Sequence, residues 1–172
     1  MVRTSLSALA AALIAPALAW AGPGDFAPGP VIEGFGPVAP VPGARPIPEG
    51  TEFRISFDTR EQSEAGELNS KLTAAARFLN MQAAAGIPPE DIHLAIVIHG
   101  PAVHDVTADD AGANADLVAA LMEHNVEIYV CGQSAVWYEV GAGDFLPGVT
   151  LSVSAMTAHA RLQQAGYTLN PF

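Results

Sequence analysis

Apolar and polar residues follow two different periods along this 172-residue chain. In Phe53-Arg54-Ile55-Ser56-Phe57-Asp58 they alternate, the period of a strand with one face better buried. From Glu67 to Ala85 the apolar positions Leu68, Leu72, Ala75, Ala76, Leu79 and Ala83 recur at helical spacing. Gly86 supplies a C-terminal stop, and Pro88 and Pro89 prevent the helix from resuming. Ile92 to His99 is nearly continuously apolar, as a central strand covered on both faces should be. After a polar loop, residues 115–124 predict a helix with Leu117, Val118, Leu121 and Met122 inward. Residues 126–131 predict a third strand, 134–139 a short helix, and 149–153 a fourth strand. A helix over 155–165 stops at Gly166, and 167–169 form a short last strand.

Strands that alternate with helices mean βαβ units and an α/β fold with a mainly parallel sheet of about five strands. Right-handed crossovers place helices on both faces of that sheet. No internal repeat is visible, and strand order is not encoded in the pattern.

The first 50 residues follow neither period. Residues 1–21 read as a signal peptide: Arg3 is the basic end, Ala8 to Ala15 the apolar run, and Ala19-Trp20-Ala21 the small-x-small cleavage pattern. The run is too short for a membrane span and ends at Pro16. Cleavage would deliver the mature protein to the periplasm with no membrane anchor. Residues 22–50 hold eight prolines and seven glycines, which excludes a helix or a central strand. Val31, Ile32, Phe35, Val38 and Val41 punctuate this segment. It reads either as an extended arm packed on the domain or a neighbouring subunit, or as a disordered tether. The α/β domain then spans residues 51–172.

Charge narrows the range of partners. Seven Lys and Arg face 18 Asp and Glu, a formal net charge of −11. Nucleic acids and anionic membranes both require a basic footprint, so neither is an expected partner. With half the residues apolar and 15% charged, the chain can form a sizeable core. Its one cysteine, Cys131, excludes an intramolecular disulfide. In an oxidising compartment a lone thiol must be shielded or used.

Open parallel sheets place ligands and reactive groups outside the C-terminal ends of their strands. Here the strands end at Asp58, His99, Cys131 and Ser154, so all four would face one edge. Cys131 is the sharpest candidate. Gly132-Gln133-Ser134 follow it and lead into a helix, whose N–H groups and dipole favour thiolate, the nucleophilic form. Gly132 permits a tight turn and close approach of a partner. The plainer account is a buried structural cysteine. His99 would lie beside Cys131 and move a proton or stabilise thiolate, or simply hydrogen-bond its loop. Asp58 would orient a base or bind a cation, or be solvated in its loop. Gln133 and Ser134 complete a substrate-binding set with Gly132 and Asp58.

Other motifs carry less. A metal site from Cys131, His99 and His104 lacks any ligand pair at a recognised spacing, so no metal or cofactor is expected. A cysteine amidohydrolase would need a lysine beside Cys and Asp, and the only one, Lys71, falls inside a helix. Trp137 and Tyr138 would fill core or interface. Asp109, Asp110 and Asp116 read as a solvated loop and first helical turn. Gly141-Ala142-Gly143 lacks the rest of a phosphate loop.

Several segments resemble the exported branch of the DsrE/DsrF-like family: residues 38–44, Ala76-Arg77-Phe78-Leu79-Asn80, the Gly86-Ile87-Pro88-Pro89-Glu90-Asp91 turn and Ala95-Ile96-Val97-Ile98-His99-Gly100. Val126 to Ser134 and Leu162-Gln163-Gln164-Ala165-Gly166-Tyr167 continue the likeness, in order, over residues 38–172. The resemblance implies a three-layer α/β/α sandwich assembled as a homotrimer or homohexamer. It also implies that the cysteine after the third strand, Cys131, carries sulfur as a persulfide. His99 matches a common family position. The expected function is therefore periplasmic sulfur handling, with donor and acceptor unnamed. The alternatives are a non-enzymatic oligomeric module that binds a small molecule or metal, and a purely structural Cys131.

Overall fold

The computed structural model describes residues 21–172, so the expected leader, residues 1–21, lies outside the described residues except for Ala21. Five strands form one sheet: β1 (Phe53–Thr59), β2 (Ile92–Ile98), β3 (Glu127–Cys131), β4 (Thr150–Ser152) and β5 (Thr168–Leu169). Their order is β4-β3-β2-β1-β5, and every neighbouring pair is parallel. Four helices connect them: α1 (Ser70–Ala84), α2 (Asn114–Glu123), α3 (Gly132–Trp137) and α4 (Ala155–Gln164). Among the described residues, no helix is long and apolar enough to cross a membrane.

The central strand has the burial its composition demands. Six of the seven residues of β2 are buried, and the exception is His93. One face of the sheet packs Phe57, Leu94, Ile96, Ile98, Ile128 and Val130 against α1 and α2 through Leu72, Leu79, Leu117 and Leu121. Burial of each such side chain contributes about 1.5–3 kcal/mol. The opposite face carries a smaller cluster, in which α4 sets Ala158 and Leu162 on Ala95 and Val97. The result is a three-layer α/β/α sandwich with unequal outer layers.

Several local boundaries differ from the sequence expectation, three of them with a clear local cause or consequence. Helix α1 begins at Ser70, not Glu67, because Asn69 caps it: Asn69 Oδ1 accepts from Lys71 N–H at 2.9 Å and Leu72 N–H at 3.4 Å. Leu68 still packs against the core from outside the helix. The polar loop after β2 is instead a 3₁₀ segment, Gly100–Val106, started by Pro101. Helix α3 begins at Gly132, directly after β3, instead of at Ser134.

Buried polar side chains fix the loops near the C-terminal edge of the sheet. Asp105, 3% exposed, accepts from Ser63 N–H at 3.0 Å, Ser63 Oγ at 2.8 Å and Asn69 Nδ2 at 2.7 Å. Asn114 Oδ1 accepts from Asn69 N–H at 2.7 Å. These bonds tie the loop after β1 to the 3₁₀ segment and to the start of α2.

The Pro/Gly-rich arm packs on α1 of its own domain. Asn80 is fully buried, and its Oδ1 accepts from Val31 N–H at 3.1 Å and Ile32 N–H at 2.9 Å. Its Nδ2 donates to the carbonyls of Ile32, Phe35 and Gly36 at 2.9, 2.9 and 3.1 Å. Gly36, at φ +63°, lies so close to the helix that a Cβ there would stand 2.4 Å from Arg77 N. Ile32 completes the core at 3% exposure. Removal of one amide group thus releases five arm contacts. Asn80→Ala should destabilise the fold by about 2–4 kcal/mol and open residues 22–50 to limited proteolysis. Urea unfolding and protease mapping check both; an unchanged midpoint with a protected arm would contradict the role given to Asn80.

Candidate functional site

The strand register decides which side chains meet. Asp58 is level with Val97 and Val97 with Tyr129, so these three share one face. His99 and Cys131, two residues further on, belong to the same face. That is the face covered by α4. Asp58, His99 and Cys131 therefore converge at one edge beneath the first turns of α4.

There they line an open cleft of about 620 Å³, together with Gln133, Ser154, Met156, His159 and Gln163. Cys131 sits in its wall at 6% exposure, shielded but reachable from the cleft. Burial pushes its thiol up. The Ser134 hydroxyl and the N–H groups of Ser134, Ala155 and Gln133 push it down, and the net direction is below the ordinary cysteine value. As the N-cap residue of α3, Cys131 makes no side-chain capping bond. Helix α3 has only six residues, and these donors act individually rather than through a long macrodipole.

Two neighbours hold the donors in place. Gly100 N–H donates to Ser134 Oγ at 2.9 Å, which leaves the hydroxyl proton for the sulfur. Gly132 lets the end of β4 close in: a Cβ at this position would meet Ser152 O at 2.7 Å and Val153 O at 3.2 Å. This approach brings Ala155, the first residue of α4, to Cys131. Ser154 caps α4 by accepting from Thr157 N–H at 3.0 Å. Gly132 thus serves close packing of β4, beyond the tight turn expected from sequence.

Asp58, its side chain 35% exposed, is held by two partners. It lies in β1, and its two oxygens accept from two imidazoles. His99 Nε2 is 3.1 Å from Oδ2, and His159 Nε2 is 2.7 Å from Oδ1. A carboxylate only accepts, so both Nε2 atoms carry protons. His159 Nδ1 is buried without a partner. The His99 ring is directed to Asp58, and no hydrogen bond joins it to Cys131.

His159 was not anticipated from the sequence. The signal was present: Ala155, Ala158, His159 and Leu162 form the i, i+3, i+4, i+7 stripe that faces the sheet. A histidine on an inward stripe asks for a partner. His104 lies elsewhere. It bonds Asp110 at 3.2 Å and packs edge-on against Tyr138, with centroids 5.5 Å apart. It lines other pockets than the Cys131 cleft, which removes the His99–His104–Cys131 metal site. Among the described residues, no group of three His, Cys, Asp or Glu is placed to hold a metal ion. Trp137 is 79% exposed, not core.

The DsrE/DsrF-like family profile matches residues 55–171. The chain belongs to the DsrE/DsrF-like family. This DsrE-like domain also resembles a solved structure of MTH1491, a protein of unknown function from Methanobacterium thermoautotrophicum. The TM-score is 0.57 at 18% identity, covering 70% of this chain and 100% of that one. That likeness concerns the fold alone. No curated protein matches the chain. Membership of a DsrE-like family suggests a role related to sulfur relay.

The Ser134 donor sets a pH-dependent prediction. A thiol lowered in the folded state contributes stability fully above its unfolded value, and loses it as pH falls through the folded value. Ser134→Ala should therefore cost about 1–3 kcal/mol at alkaline pH. The gap from wild type should shrink as pH falls below the folded Cys131 value, in urea unfolding at stepped pH. A gap that widens on acidification would contradict the assignment.

Proposed function

We propose that the protein is a periplasmic sulfur carrier that holds sulfane sulfur as a persulfide on Cys131. The observation that carries this reading is a lone thiol, lowered by converging donors, in the wall of an open cleft. Family membership supports sulfur as the cargo.

In the loading step, Cys131 thiolate attacks the outer sulfur of a donor R–S–SH. The Cys131–sulfur bond forms, the donor S–S bond breaks, and its electron pair leaves with R–S⁻. The proton stays on the transferred sulfur, which gives Cys131–S–SH. In the unloading step an acceptor thiolate attacks that same outer sulfur, and Cys131 departs as thiolate. The donors that lower Cys131 serve both steps, because they stabilise it as nucleophile and as leaving group. Asp58 holds the Nε2 proton of His99, which leaves Nδ1 of that ring to take the Cys131 thiol proton before loading. Gln133, Ser134 and Gly132 border the bound sulfur.

Residues 1–21 act in this proposal as the export signal, and the mature chain begins at Gly22. Val136, Trp137, Val153 and Met156, all at least 73% exposed, flank the cysteine loop and support assembly as a homotrimer or homohexamer. The sulfur donor and acceptor are further partners.

Incubation with an organic hydropersulfide, followed by intact-mass measurement, should show one added sulfur atom on the wild type. Cys131→Ala should show none, and His99→Ala should load more slowly. An absent adduct, or an equal one on Cys131→Ala, would overturn the carrier reading. A chain beginning at Gly22 in the periplasmic fraction checks the location; retention of residues 1–21 there would contradict it.

A further inference from the structure

The chemical class of the donor follows from the charges around the cleft, on the reading that Cys131 takes up sulfur. No Lys or Arg lines the cleft. Each cation among the described residues has another place. Arg54 pairs with Glu52, and Lys71 Nζ donates to Pro171 O at 3.1 Å. Arg161 lines a separate pocket beside Glu127, Tyr129 and Tyr167. Arg60 lies against Gly100, Arg77 against Gly36, and Arg45 is in the arm.

What the cleft does present is one carboxylate, two imidazoles, the thiol and uncharged side chains. Asp58 brings a carboxylate whose two oxygens face histidine rings. Cys131 itself reacts as an anion. The N–H groups of Ser134, Ala155 and Gln133 act on the sulfur, and Thr157 N–H donates to Ser154 Oγ. The remaining surface is supplied by Met156, Leu169, Gln133 and Gln163. The whole chain adds a formal charge of −11. A doubly charged oxyanion entering here would meet Asp58 and the Cys131 thiolate with no guanidinium or ammonium group in the lining to offset them.

We infer that the Cys131 cleft takes sulfur from uncharged organic hydropersulfides and excludes oxyanionic donors of the thiosulfate class. In the favoured reaction, R–S–SH transfers its outer sulfur and releases R–S⁻. In the disfavoured one, thiosulfate would transfer its outer sulfur and release sulfite.

Two measurements on the purified protein separate this inference from the carrier reading. The first compares alkylation of Cys131 by neutral iodoacetamide and anionic iodoacetate, relative to the same rate ratio for a small uncharged thiol. At low salt the Cys131 ratio should exceed the reference by about tenfold, and added salt should narrow it. Asp58→Asn should move the ratio towards the reference. A wild-type ratio equal to or below the reference overturns the inference. The second measurement follows loading by an uncharged alkyl hydropersulfide and by thiosulfate, read as intact mass. The hydropersulfide should load at least about tenfold faster. Thiosulfate loading at an equal or greater rate overturns the inference while the carrier reading stands. Loading by neither overturns the carrier reading, and the alkylation ratio still decides the charge selectivity.

Discussion

The absence of a side chain at Gly132 lets two separate elements reach one sulfur atom. A Cβ there would stand 2.7 Å from Ser152 O, so a larger residue would push the end of β4 away from the cysteine loop. With glycine, the first residue of α4 joins the Ser134 and Gln133 donors around Cys131. Burial alone would keep this thiol protonated. Donors from α3 and α4, steadied by Gly100 N–H on Ser134, outweigh it and lower the thiol below its ordinary value. The reactivity of the cleft depends on that convergence.

The rest of the fold holds that edge still. Parallel pairing sets Asp58, His99 and Cys131 on one face, and α4, which covers that face, contributes His159. Asp105 and Asn69 tie down the loop after β1, while Asn80 fastens the proline-rich arm to α1 on the far side. Each of these polar side chains is buried with its groups bonded, so each constrains backbone that has no regular ladder of its own. The α4 layer is thin, with four buried residues in its cluster, and this thinness leaves the cleft open.

The repeating parts of this arrangement were legible in the sequence. Apolar alternation located β1, and the unbroken run of β2 marked a central strand, because burial on one or two faces writes itself into residue choice. Cys131 stood out as a strand-end thiol before Gly132. What could not be read was pairing across the chain. Asp58 meets His159 at a separation of 101 residues, and Asn80 meets Ile32 at 48, and neither partner is implied by any local period. The start of α1 was missed because a buried Asn69 outweighed the helical spacing that begins at Glu67. Of the two places open to Trp137, core and interface, α3 rules out the core by turning the side chain to the surface. The family resemblance, carried by segments spread over residues 38–172, reached the α/β/α sandwich, while the strand order was legible in neither the resemblance nor the periodicity.

Thiolate absorbance of the native protein, followed against pH and compared with the same protein unfolded in urea, tests the central claim most directly. With one cysteine in the chain the thiolate signal belongs to Cys131, and Cys131→Ala titrated in parallel subtracts the tyrosines. Tyr129, through its bond to Glu127, and Tyr167, through burial and the same carboxylate, are pushed up to about 12 and stay clear of the native transition. The account predicts a native midpoint below the unfolded one. A native midpoint at or above the unfolded value would mean that burial wins over the converging donors, and would contradict it.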